Sequence, residues 1–321
     1  MKKIKEHIVK GKDIFVGLED SKTTWKLCVR CDRMVSHEVA MPTVYENLER
    51  YLRFRYPYCR IRLMYEAGFG GFWLHDRLES DGIDCIVTPP NKVTEEKSNK
   101  VKTDRVDARR LAKNLENGDY KSCYVPDQEL REDRQISRTL VQVQKDITRT
   151  KNRIRRFFDF HGLNDEIEIK RWGVKEYRKL RALMLRDSLS FSLNVYLDNL
   201  DQLLDYRNRL KKRLIELTKK DRYRETFRYF KSSPGIGWLT AIRLVLEWGE
   251  DLSRFRGGRS FSGFVGLTPS EYSTGKFIRK GRITKQSHVF VRGVNPMRLG
   301  GNKEGLGLVT KIPNRVEKHW Q

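Results

Sequence analysis

The sequence predicts an α/β N-terminal domain, a mixed sheet with helical layers, leading into a long α-helical coiled-coil middle and a mostly helical C-terminal domain. Three observations predict it. Apolar residues alternate with period two in short segments up to Val87. From Ile136 the apolar spacing changes to alternate steps of four and three. A Pro-Gly-apolar-Gly turn at Pro234–Gly237 then opens an apolar helix. Period two marks strands, and the four-three alternation marks a helical seam.

Residues 1–12 form a basic lead-in with no expected regular structure. Ile14, Val16 and Leu18 share one face of a first strand, Trp25–Val29 reads as a second, and Met34–Met41 as a third. Asp32-Arg33 makes the tight turn of this meander. A helix over Thr43–Phe54, a strand over Ile61–Tyr65, a helix over Phe72–Leu78 and a strand over Asp84–Val87, closed by Pro89-Pro90, complete the pattern. Strands that cross over through helices imply a mixed sheet covered by helices. The helical middle carries a seam of Ile136, Leu140, Val143, Ile147, Thr150, Ile154 and Phe157, and a second of Tyr196, Leu200, Leu203, Arg207, Leu210, Leu214 and Leu217. The two are expected to pair as an antiparallel hairpin, within one chain, between chains, or both.

Charge narrows the partners. The chain has 321 residues and 66 Lys and Arg against 42 Asp and Glu, a formal net charge of +24. Such an excess repels itself unless a polyanion neutralises it, and nucleic acid is the expected polyanion. No apolar run approaches the ~20 residues of a membrane span or reads as a signal-peptide h-region, so a cytoplasmic protein is expected and a membrane partner is not. The five cysteines, Cys28, Cys31, Cys59, Cys85 and Cys123, read as reduced thiols. Cys28 and Cys31 form a CxxC inside a strand, but no second pair follows at zinc-ribbon spacing.

The first helical seam is ringed by Arg149, Lys151, Arg153, Arg155 and Arg156, more cations than pairing with acids one turn away neutralises. Two readings stand, a solvated charged face and a helix that contacts nucleic-acid backbone. Gly235 and Gly237 lie in a turn like that of a helix-hairpin-helix, whose amides at a helix N-terminus suit a phosphate oxygen, though a plain interhelical turn has the same pattern.

Four acids are arranged in an order that suits a ribonuclease H type metal site. Glu19 ends the first strand, Glu66 follows the fourth, and Asp104 and Asp107 open a helix that begins near Asp104. Magnesium takes hard oxygen donors, a few carboxylates together with substrate phosphates. Each acid also has a plain explanation: Asp104 as an N-cap, Asp107 as a first-turn acid, Glu19 and Glu66 as exposed strand ends.

The blocks Val16-Gly17-Leu18-Glu19-Asp20-Ser21-Lys22 with Trp25, Tyr65-Glu66-Ala67-Gly68, and Val101-Lys102-Thr103-Asp104-Arg105-Val106-Asp107-Ala108 resemble the DEDD domain of the transposases of insertion-sequence family 110. The resemblance implies a RuvC/ribonuclease H-like fold over 13–125 in which Glu19, Glu66, Asp104 and Asp107 bind Mg2+. The first acid is normally Asp. Glu19 is one methylene longer, and a misplacement near 1 Å costs a rate ~100-fold. Asp20 is a poor substitute, because neighbouring strand residues point to opposite faces.

A second resemblance covers the turn just described, Phe264–Gly275, and Arg279-Lys280-Gly281-Arg282-Ile283-Thr284-Lys285. It is similar to the transposase domain of the same family, in which a serine before a glycine attacks DNA phosphate. Ser273 is the expected nucleophile, with Ser270 and Thr274 as neighbours to which the alignment could slip, and a polar turn as the plain reading. No histidine lies near, so activation would come from the carboxylate and magnesium site of another region or subunit. Arg279, Lys280, Arg282 and Lys285 would hold phosphate charge.

The expected organisation is a lead-in over 1–12, a RuvC-like domain over 13–125, a helical coiled-coil region over 126–225, a transposase domain over 226–294 and an aberrant tail over 295–321. The tail is Gly-rich and aperiodic, and back-translating it with chosen permitted codons and reading one base out of phase yields an amphipathic helical pattern, so a frameshifted, truncated copy is the expectation. The family resemblance implies a recombinase that joins donor and target double-stranded DNA under a structured bridge RNA, as a homo-oligomer (dimer or tetramer), in the bacterial cytoplasm at the nucleoid. Two other readings stay open: a RuvC-like nuclease that uses metal-activated water, and an inactive nucleic-acid-binding copy.

Overall fold

The computed structural model describes residues 10–90, 103–164, 172–232, 235–255, 257, 260, 263–264, 269–272, 274, 277 and 279–283. Ser273, Lys285 and the tail expected from 295 lie outside the described residues. The chain divides into two compact units, Met1–Val125 and Pro126–Gln321.

The first unit runs β1 (Asp13–Glu19), β2 (Thr24–Cys31), β3 (Met34–Pro42), α1 (Tyr45–Arg55), β4 (Arg60–Glu66), α2 (Trp73–Ser80), β5 (Asp84–Thr88) and α3 (Asp104–Asn117). The strand order is β3-β2-β1-β4-β5, so β1 is central. It pairs antiparallel with β2 and parallel with β4, which pairs parallel with β5. The meander, both crossovers and their order agree with the expected mixed sheet. Asp32 and Arg33 both have positive φ, 49° and 63°. That geometry matches the right-handed twist of the flanking strands in a two-residue hairpin loop.

Alternation along β1 sorts the two faces. Ile14, Val16 and Leu18 are fully buried against Leu48 and Leu52 of α1 and Leu74 and Leu78 of α2. Phe15 faces the other way, packing with Met64 and Ile86 beneath Leu111 and Leu115 of α3. Helices therefore cover both faces. Helix α3 comes close: a Cβ on Gly17 would collide with the carbonyl of Ala108 and the amide of Ala112. Small residues make the approach possible, since Ala108 and Ala112 also cluster with Cys28 of β2.

Thr103, not Asp104, caps α3, its hydroxyl accepting a hydrogen bond from the Val106 amide at 3.4 Å. The extended backbone of Thr103 leaves Asp104 as the first helical residue. Gly118, at φ 73°, ends the helix in the left-handed conformation, with Asp119 N–H donating to the Asn114 carbonyl at 2.9 Å.

The second unit contains α4 (Gln128–His161), α5 (Val174–Ala182), α6 (Asp187–Leu217), α7 (Asp221–Lys231), α8 (Trp238–Trp248), β6 (Pro269–Glu271) and β7 (Lys280–Ile283). Helices α4 and α6 lie antiparallel. Ile147, Ile154 and Phe158 meet Leu193, Leu197 and Leu200 at one end, while Leu130 and Leu140 meet Leu214 and Leu217 at the other. Phe158 rather than Phe157 is the fully buried aromatic of this face. Thr150, the polar seam residue, is buried and accepts from the Asn199 amide at 3.3 Å. Glu247 of α8 is buried and takes both arms of Arg138, at 2.9 and 2.8 Å.

The C-terminal part was expected to be mostly helical. Among its described residues beyond α8, β6 and β7 pair antiparallel, Pro269 opposite Ile283 and Glu271 opposite Lys280. Pro269 lacks the amide a helix interior needs, so an edge strand suits it better.

Gly17→Ala is expected to destabilise the first unit by about 1–3 kcal/mol, because backbone rather than a flexible side chain blocks the added methyl. Urea denaturation followed by circular dichroism measures this. An unchanged midpoint would mean that α3 slides away at no cost.

Candidate functional site

The sheet brings the two glutamates together by register. β1 and β4 run parallel with Gly17 opposite Met64 and Leu18 opposite Tyr65, so Glu19 and Glu66 end neighbouring strands at the same edge. Both belong to the set of Phe15, Gly17 and Met64, the face turned toward α3. The first turn of α3 adds Asp104 and Asp107, three apart on one helical face. Asp107 is buried and Asp104 exposed. Asp20 points elsewhere: its Oδ1 accepts from the indole N–H of fully buried Trp25 at 2.9 Å, which leaves Glu19 as the acid of this block.

The acids feel one another. Burial, followed by the charges of Asp107, Glu66 and Asp104, pushes Glu19 up to about 7, against a smaller pull from Arg110. Arg110, which sequence reading did not single out, lies one turn beyond Asp107. Its Nη2 donates to Glu66 Oε1 at 2.9 Å and contacts Asp107 Oδ1 at 3.0 Å. Among the described residues, no three carboxylates, histidines or cysteines already stand as a metal cage. Donor chemistry nonetheless fits a divalent cation, since the four groups offer only hard carboxylate oxygens in a cluster that disfavours its own charge.

The expected nucleic-acid residues divide into several places. On α4, Arg149, Arg153, Arg155 and Arg156 are exposed, and Arg149 pairs with Asp146 at 2.8 Å. Lys151 is half-buried, and it and Arg155 lie 5.2 and 5.7 Å from the ring centre of Trp172. Burial and the neighbouring charges of Arg207 and Arg155 lower the Lys151 pKa, so its environment favours an incoming anion. Trp172 and Arg207 were missed as parts of this patch, because only folding places them beside Lys151.

Gly235 and Gly237 are exposed on either side of buried Ile236, in the turn between α7 and α8, with Gly235 at φ 79°. Arg279 and Arg282 are exposed, and Lys280 lies in β7. Ser270 has a structural use in the strand pair. Its hydroxyl donates to the Arg282 carbonyl at 3.3 Å, and a Cβ on Gly281 would strike it. Thr274 exchanges backbone hydrogen bonds with Phe277 at 3.1 and 3.0 Å.

Comparison with known proteins gives this arrangement its context. Residues 227–294 match the model of the Transposase IS116/IS110/IS902 family, and residues 55–162 match the DEDD transposase model of the IS110 group. The chain belongs to the IS110 family of transposases. The DEDD match contains Glu66, Asp104 and Asp107 and begins after Glu19. The transposase for insertion sequence element IS1533 of Leptospira borgpetersenii is 28% identical over 206 residues, 62% of this chain and 58% of the relative. Two Sinorhizobium fredii proteins named as transposase candidates are also similar. The protein y4qE is 26% identical over 232 residues, 71% of this chain and 55% of its own. The protein y4rJ is 24% identical over 307 residues, 87% and 78% respectively. The chain spans just over half the length of the first two relatives. Among the described residues, no helix is long and apolar enough to cross a membrane.

Affinity for duplex DNA is expected to fall steeply with salt, and Arg153→Ala and Arg156→Ala should each flatten the slope of log K against log salt by about 1. Fluorescence anisotropy across a salt series measures it. Slopes identical to the wild type would make this face a solvated one.

Proposed function

We propose that the chain is a transposase that cuts and joins DNA at an acidic, magnesium-dependent site formed by Glu19, Glu66, Asp104 and Asp107. The observation that carries this reading is the convergence of two parallel strand ends with the first turn of α3, which gathers four carboxylates at one sheet edge. The four carboxylates would hold magnesium there, and the ion would supply Lewis-acid stabilisation of phosphate charge. Glu66 and Asp107 supply oxygens from the partly shielded side, Asp104 from the exposed rim. The positive end of α3 favours the Asp pair and a substrate phosphate alike. Glu19 reaches farther than the aspartate normal at its position, and burial with the neighbouring acids pushes it up to about 7.

The partners proposed with this reading are donor and target double-stranded DNA, a structured guide RNA and further copies of the chain in a dimer or tetramer, in the cytoplasm and at the nucleoid. The net charge of +24 and the cationic face of α4 support the nucleic-acid part. The guide RNA and the oligomer rest on the family resemblance.

Covalent serine chemistry is a second, separable part of the proposal. It rests on the sequence resemblance around Ser273, which lies outside the described residues. Its neighbour Ser270 is occupied in the β6–β7 pair, which favours Ser273 over Ser270 for the role.

Incubation with DNA and the native RNA, resolved on denaturing gels, tests both parts. Asp104→Ala and Asp107→Asn should each abolish magnesium-dependent cleavage, while Glu19→Asp should keep or raise it. Full cleavage by Asp107→Asn would remove the acidic site.

Ser273→Ala should abolish a covalent protein–DNA adduct and leave binding near normal, whereas Ser270→Ala should keep most activity. Nicked product with no adduct from the wild type would favour a metal nuclease that works through water. Binding with neither product would favour an inactive copy.

A further inference from the structure

Arg110 is one of 66 basic residues, but its position is unlike the others on α3. Arg109, its neighbour, turns outward to Glu38 of β3. Arg110 is instead mostly shielded, its side chain 17% exposed, and a single nitrogen, Nη2, spans Glu66 Oε1 and Asp107 Oδ1 at 2.9 and 3.0 Å. These oxygens belong to two of the acids assigned to the cation. A carboxylate oxygen that accepts a guanidinium hydrogen bond has one fewer lone pair to offer a metal and less negative charge to attract it.

We propose that Arg110 is a positioning residue that competes with the divalent cation for Glu66 and Asp107, holding the two acids in place and setting how tightly the cation binds. This rests on the reading of the four acids as a divalent-cation site. Each carboxylate keeps further lone pairs, so the ion is not excluded, but it binds beside a fixed positive charge and shares two donors with it, which weakens its hold unless Arg110 swings out. An arginine side chain is long enough to turn its charge toward solvent while its stem stays packed. The competition makes the site selective for conditions in which substrate phosphate arrives with the metal, because the phosphate supplies ligands that no protein group provides.

The test is isothermal titration of the full-length protein with magnesium chloride, together with a thermal melt in chelator to show that each variant is folded. Arg110→Ala should bind magnesium about fivefold or more tightly than the wild type, since the competitor is gone. Arg110→Lys, which keeps a charge but loses the planar fork, should fall between the two and serves if Arg110→Ala does not fold. A merely structural arginine would give unchanged or weaker affinity in these variants, and that result, with the wild type binding, would overturn the competition while leaving the cation site intact. If neither the wild type nor any folded variant binds magnesium, the cation site itself is overturned, and the role of Arg110 with it.

Discussion

The contact of α3 with β1 at Gly17 controls the arrangement of the first unit. A helix normally stands about a side chain's length away from a sheet, but here Gly17 on one side and Ala108 and Ala112 on the other remove that spacer. The helix axis drops onto the central strand. Its N-terminal turn then reaches the edge where β1 and β4 end, and the acids of that turn come into electrostatic range of Glu19. Leu111 and Leu115, one and two turns on, fill the space over Met64 and Ile86, so hydrophobic burial fixes the rotation of the helix that aims Asp107 inward.

Gathering like charges opposes this arrangement. Burial, and then the charges of Asp107, Glu66 and Asp104, raise the free energy of the charged form of Glu19 and give it a proton affinity near neutrality. The compensation comes from the chain itself, through Arg110. It is local, one helical turn from Asp107, and therefore in place as soon as α3 forms and docks.

In the second unit the same residue types serve another purpose. Arg222 is shared by Asp127, Glu129 and Glu250, and Arg181 by Asp198 and Asp201. Exposed pairs of this kind contribute about 0–1 kcal/mol each, so they orient the helices more than they stabilise them. The Glu247 carboxylate is different, because removing Arg138 would leave a buried charge with only the more distant Arg134 at 3.9 Å, and breaking a buried pair typically costs about 3–5 kcal/mol. With many of the acids of this unit engaged in such pairs, Arg153, Arg155 and Arg156 on α4 remain exposed toward solvent.

Local pattern determined a large share of this protein. The period-two alternation of Ile14, Val16 and Leu18, the positive-φ turn at Asp32-Arg33, the helix start beside Asp104 and the two apolar helical seams follow from rules that act within a few residues. The order of the four acids was legible for the same reason, as was the choice of Glu19 over Asp20, since strand alternation is a local property. Tertiary structure decided what depends on distant partners: that Gly17 receives α3, that Arg110 bridges Glu66 and Asp107, that Thr150 is answered by Asn199 rather than by a seam residue, and that Ser270 is tied into a strand pair with Arg282. Of these, only the Arg110–Asp107 contact, three residues apart on one helix, has a signal in spacing. An arginine on a basic chain, or a glycine in a strand, acquires its role only when register and helix rotation bring a particular neighbour within hydrogen-bond or van der Waals range.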